Sequence, residues 1–135
     1  MFKLKFKLFK KRDRTKRPKN YKTIRELDLS RLNLTSVPDW VSECSSLKKL
    51  DLSFNKLSSL PNNLPPSIAS LVCNHNQITN IDHLPANLRF LFIENNWLTA
   101  MPDTLPPELK YVSIMHNLFP EDYVYHNPQL FSFYT

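Results

Sequence analysis

The sequence predicts an α/β-type solenoid, with short parallel β-strands on a concave face, mostly extended or polyproline-like returns on the convex side, and little helix. Three observations carry this. One eleven-residue pattern occurs five times: IRELDLSRLNL from Ile24, LKKLDLSFNKL from Leu47, IASLVCNHNQI from Ile68, LRFLFIENNWL from Leu88 and LKYVSIMHNLF from Leu109. The copies start 23, 21, 20 and 21 residues apart, a period that belongs to stacked repeats. The segments between them are rich in Pro, of which the chain holds 11, and Gly is absent throughout.

Taken in chain order, the first element is a basic arm. Residues 1 to 22 hold eleven Lys or Arg and one Asp, which leaves seven basic against eleven acidic residues in the remainder. Within the arm Phe2, Leu4, Phe6 and Leu8 alternate with Lys3, Lys5 and Lys7, a period that gathers the apolar residues on one face of a strand but scatters them around a helix. A capping strand over residues 2 to 9, laid beside the first repeat strand, is the expectation; the alternative is a disordered or membrane-seeking arm. Behind it, Lys10, Lys11, Arg12, Arg14, Lys16, Arg17 and Lys19 form a candidate polyanion-binding or nuclear-import segment.

The repeats span residues 23 to 120. In each, a pair of Leu-type residues alternates with outward-facing ones at period 2, so a short strand buries the pair and exposes its neighbours. Asn55, Asn76, Asn96 and Asn117 then stand where the chain leaves the strand, and their amides can satisfy backbone groups of adjacent turns. Leu32 takes that place in the first copy. The returns SSLPNNLPPS, TNIDHLPANL and TAMPDTLPPEL are expected to be extended, because Pro fixes φ and biases its predecessor away from helix. The first return lacks Pro after Pro38 and places Val41, Cys44 and Leu47 three apart. A short helical turn is expected there, with Asp39 as its cap. The tail, residues 121 to 135, is rich in Tyr and Phe and suits a lid on the last turn, with Trp97 and Phe119 nearby.

The five copies resemble LxxLxLxxNxL, the leucine-rich repeat. The runs LPNNLPPSIASLVCNHNQI and MPDTLPPELKYVSIMHN resemble its bacterial subtype, found in secreted effectors of pathogens; similar repeats occur in large DNA viruses. Effectors of that family often join their repeats to a ubiquitin-ligase domain with a cysteine nucleophile. Here 15 residues follow the repeats, and Cys73 stands at a core position of the pattern, so the resemblance does not extend to that activity. The start at Met1 and the aromatic tail favour an intact chain.

Composition excludes several chemistries. Without Gly there is no P-loop and no dinucleotide fingerprint. The N-terminus interleaves charges where a signal peptide needs an unbroken apolar run, so general secretory export is not supported. Cys44 and Cys73 read as buried free thiols of a reducing, intracellular compartment, which for a pathogen or viral protein is a host cytoplasm or nucleus. His75 and His116 lie two strands apart, about 10 Å, too far to share a metal unaided. No cofactor, metal or catalytic constellation is expected.

Function is expected on the outer face of the sheet. Its columns read Glu26, Lys49, Ser70, Phe90, Tyr111; then Asp28, Asp51, Val72, Phe92, Ser113; then Ser30, Ser53, Asn74, Glu94, Met115; and Arg31, Phe54, His75, Asn95, His116. The first two strands are charged, whereas Val72, Phe90, Phe92, Tyr111 and Met115 gather toward the C-terminal ones, rimmed by Asn74, Glu94 and His116. An apolar patch with a polar rim on a solvent face marks a protein contact. The expected function is a non-catalytic protein-interaction module, with nucleic-acid, anionic-membrane or import-receptor binding through the basic arm as the alternative.

Overall fold

The protein is described by a computed structural model covering residues 13–123 and the strand at 132–134. Six three-residue strands form one sheet: β1 (Glu26–Asp28), β2 (Lys49–Asp51), β3 (Ser70–Val72), β4 (Phe90–Phe92), β5 (Tyr111–Ser113) and β6 (Ser132–Tyr134). They lie in chain order and every neighbouring pair is parallel. The five sequence repeats supply β1 to β5. The register runs Glu26, Lys49, Ser70, Phe90, Tyr111 across the sheet, so the columns read from the sequence are physical rows. The tail adds a sixth rung, with Ser132 beside Tyr111. The expected capping strand at residues 2 to 9 lies outside the described residues, as does most of the tail.

The core follows from the strand period. Leu50, Leu71, Leu91 and Val112 form one stack, and Leu29, Leu52, Cys73, Ile93 and Ile114 a second, all fully buried. Leu57, Ile78 and Leu98 make a third beneath the strand exits. Burying a Leu or Ile side chain contributes about 1.5–3 kcal/mol, so each turn adds a comparable increment and no single layer dominates, as expected of a solenoid.

The strand exits are held by the asparagines. Asn76 Nδ2 donates to Leu52 O at 3.0 Å and Cys73 O at 3.1 Å, while its Oδ1 accepts from Leu57 N–H at 3.0 Å. Asn96 repeats this with Cys73 O at 2.9 Å and Ile78 N–H at 3.0 Å. Asn117 donates to Ile93 O and Ile114 O and accepts from Leu98 N–H. Each core carbonyl thus serves the amide of its own turn and that of the next, a continuous ladder with no unpartnered buried side-chain polar atom among the described residues. With Leu32 in the first copy, Asn55 alone serves Leu29 O, and its Oδ1 takes both Leu32 N–H and Leu34 N–H at 3.0 Å.

The returns are extended, apart from a 3-10 helix over Asp39–Glu43. It packs Val41 inward, and Cys44 and Leu47 follow into the core. Its N-cap is Pro38 and no side chain caps it. The expected role of Asp39 is therefore corrected: it is the first helical residue, where a carboxylate favours the helix start through charge alone. Among the described residues no helix is long and apolar enough to cross a membrane.

Candidate protein-binding face

The outward side chains of β4 and β5 make an aromatic surface. Phe90 is 41% exposed and Met115 37% exposed, whereas Val72, Phe92 and Tyr111 are half-buried. The rings of Phe92 and Tyr111 meet at 5.2 Å between centroids, tilted by 42°, a geometry that suits the aromatic quadrupole. Phe90 and Tyr111 are register partners. Four of the apolar residues singled out in the sequence, Phe90, Phe92, Tyr111 and Met115, thus share two adjacent strands and their exits, with Val72 one strand away beside Phe92.

The polar members are tied together. Asn74 Oδ1 accepts the Glu94 N–H at 2.8 Å, and Glu94 Oε1 accepts the Ser113 hydroxyl at 2.5 Å. Ser113 is buried, so the Glu94 carboxylate is held from below while remaining half-exposed. His116 is exposed at the end of the row. Toward β1 the face is acidic. Asp28 Oδ1 accepts the Ser30 N–H and hydroxyl at 2.8 and 2.6 Å, and Asp51 Oδ1 accepts the Ser53 N–H at 2.9 Å. The Ser30 hydroxyl, more than any other group, lowers the Asp28 pKa; the Ser30 N–H and Arg14 add to this against the cost of desolvation.

The described part of the basic arm is bound to the body. Arg14 pairs with the Asp28 carboxylate at 2.9 Å and donates to Asp28 O at 3.2 Å and Ser30 O at 2.7 Å. In the next turn the equivalent carbonyls, Asp51 O and Ser53 O, accept from Leu29 N–H and Arg31 N–H. Among the described residues β1 is the edge strand, and the Arg14 guanidinium supplies there two donors of the kind that a preceding turn would supply. Arg17 reaches Glu43 at 3.4 Å and lies 4.7 Å from the Tyr21 ring; Lys16 is 3.9 Å from Asp13; Lys19 is exposed. Trp40 Nε1 donates to Thr15 O at 2.8 Å, pinning the same segment. Lys10, Lys11 and Arg12 lie outside the described residues.

Sequence reasoning missed one constellation. Arg31, Phe54, His75, Asn95 and His116 all have φ between 53° and 57°, the left-handed region in which Asn and His are tolerated and a bulky residue is an outlier. Phe54 is sandwiched there: its ring stacks on His75 at 4.2 Å and 13°, and the Arg31 guanidinium lies 3.8 Å from its centroid. The signal was present, since these residues form one column, but nothing in the pattern marks that column as a left-handed turn when Gly is missing from it.

Both cysteines are free and buried. Burial pushes the Cys73 thiol far above its ordinary pKa, and the charge of Asp51 adds to the shift. Neither has the electropositive, accessible setting that activates a thiolate.

Against known proteins, the family model described as Leucine Rich Repeat matches residues 46–71. The leucine-rich-repeat domain of a Shigella effector superimposes with a TM-score of 0.70 at 31% identity, over 82% of this chain and 48% of that one. The chain folds as a leucine-rich-repeat solenoid. Its repeats are similar in kind to those of the bacterial effectors. Lumican from Gallus gallus and from Coturnix japonica each share 41% identity over 59 residues, 44% of this chain. This leucine-rich-repeat chain spans 17% of the length of either lumican and about half of the effector chain. A leucine-rich-repeat fold is typically a non-catalytic interaction scaffold.

Proposed function

We propose that this protein is a protein-interaction module whose partner docks on the concave face, centred on Phe90, Phe92 and Tyr111. The observation that carries the reading is the exposure of Phe90 and Met115 beside the Phe92–Tyr111 ring pair. The inward residues of the same strands already close the core, so the strands' own stability does not require aromatics on the outer side. Aromatic side chains at the centre of a patch, ringed by polar groups, are the usual anchors of a protein interface. The module has no reaction of its own under this reading.

Capture of a partner from cells by the wild type and by a Phe90→Ser/Phe92→Ser variant tests it, with thermal unfolding as the check that the variant is folded. Loss of the captured protein in the folded variant is expected; equal recovery by both removes the site. Binding of a polyanion through the arm receives less support, because Arg14 and Arg17 already face Asp28 and Glu43.

A further inference from the structure

The charges of the concave face are unequal. Four carboxylates, Glu26, Asp28, Asp51 and Glu94, share its columns with the cations of Lys49 and Arg31, and among the described residues neither cation makes an ion pair with any of them, Arg31 lying over the Phe54 ring instead. Asp28 and Asp51 are register partners on adjacent parallel strands, an arrangement of like charges that costs stability. Arg14 neutralises Asp28. Among the described residues Asp51 and Glu26 make no ion pair, and both line a hollow of about 250 Å³ with Leu27, Asp28 and Lys49. At the other end the Glu94 carboxylate accepts the Ser113 hydroxyl and its backbone N–H donates to Asn74, two residues beyond Phe92 and on the outward period of Phe90 and Phe92.

A cation is the ligand that both ends share. A guanidinium or ammonium is attracted to aromatic faces and to a carboxylate whose direction is already set, which spares the cost of ordering it. We infer that the partner presents an extended basic segment that crosses the strands. One Arg or Lys is held by Glu94 over the Phe90, Phe92 and Tyr111 rings, and another by Asp51 and Glu26. Strands lie about 4.8 Å apart, so β4 to β2 or β1 is roughly 10 to 14 Å, which an extended chain covers in three to four residues. This inference rests on the concave-face reading and adds the partner's chemistry to it.

The test uses the full chain and fluorescein-labelled decapeptides of Ser and Ala carrying two Arg four residues apart, beside counterparts with citrulline, which is neutral and nearly isosteric. Fluorescence anisotropy is expected to show binding of the Arg peptide that weakens with salt, and roughly tenfold weaker binding of the citrulline peptide. Glu94→Gln and the pair Glu26→Gln/Asp51→Asn, which keep the hydrogen-bond acceptors, are each expected to weaken the Arg peptide about tenfold. Equal binding of Arg and citrulline peptides, no binding of either, or unchanged affinity in both carboxylate variants overturns the basic segment. If Phe90→Ser/Phe92→Ser still abolishes capture of the cellular partner, the concave-face reading survives that failure. A peptide of residues 1 to 12 of this chain serves as competitor. Displacement by it at tenfold lower concentration than the Arg peptide identifies the chain's own arm as the occupant and overturns an external partner.

Discussion

Replacing Asn76 by Leu, close in size and apolar, isolates the amide from the packing. Asn76 is 6% exposed, and its Oδ1 is the acceptor for Leu57 N–H in a fully buried turn. Its two closest donor bonds, to Leu52 O and Cys73 O, are shared: Leu52 O keeps Asn55 at 2.8 Å and Cys73 O keeps Asn96 at 2.9 Å. One buried N–H is orphaned, at about 1–3 kcal/mol, and two bonds of about 0.5–1.5 kcal/mol are lost from carbonyls that remain partnered. The central values sum to roughly 4 kcal/mol, equivalent in a chain of this size to a Tm lower by roughly 10–15 °C. Guanidinium titration followed by circular dichroism measures it, with Lys56→Leu, an exposed position of the preceding turn, as the control within about 0.5 kcal/mol of wild type. An Asn76→Leu variant within about 1 kcal/mol of wild type refutes the ladder as a source of stability.

Phe54→Gly relieves the left-handed backbone at φ 57 and loses the stack, whereas Phe54→Ala loses the stack alone; Gly is therefore expected to be the more stable variant by about 1 kcal/mol, read from the same titrations. Arg14→Ala strips two edge carbonyls and the Asp28 carboxylate of their partner and is expected to destabilise by about 1–2 kcal/mol; unchanged stability contradicts its role at the sheet edge. The Asp28 pKa is lowered on folding from 3.8, so its stabilisation is present above that value and disappears as pH falls through the folded pKa. The stability gap between wild type and Asp28→Asn should accordingly close in acid and be full at pH 7; a gap independent of pH contradicts the hydrogen-bonding account. Cys44 and Cys73 are fully buried and should react with a disulfide reagent only after unfolding, monitored at 412 nm by release of its thiolate chromophore; prompt labelling of both in the native protein contradicts their burial.

The parts of the fold that were legible in the sequence are those governed by period alone. Alternation at period 2 placed Leu50 and Leu52 inside and Lys49 and Asp51 outside, and the recurrence of the pattern set the register, because in-phase parallel strands have one way to stack their buried pairs. The aromatic patch was legible for the same reason: Phe90 and Phe92 stand at outward positions. What was not legible depends on contacts between columns or on a single side chain far along the chain. Arg14 lies 14 residues from Asp28, and no pattern in the arm distinguishes it from its basic neighbours. Ser113 and Ser53 stand at nominally outward positions yet are buried, because a small side chain sinks beneath a longer neighbour such as Glu94. Asp39 looked like a cap by residue type, but Pro38 already supplies the extended φ and ψ of an N-cap, at −57° and 135°.

The left-handed row bears on how the face is built. Every repeat turns off its strand through the same kind of step, one residue ahead of the ladder asparagine, as at Phe54, His75, Asn95 and His116. Glycine takes that conformation without steric cost, whereas a residue with a Cβ loses about 1 kcal/mol or more. A chain without any Gly meets this cost in each turn. In the first three turns it is offset by the side chains themselves, since Arg31, Phe54 and His75 are brought into one stack by the shared backbone conformation. At Asn95 and His116 the residue types are ones that tolerate the region. The cost of the backbone thus projects a row of full side chains along the rim, next to the outward columns of the sheet. Under the proposed reading, a partner lying across the strands would meet a floor of carboxylates and rings and, at its edge, a wall that glycine at those positions would have left bare.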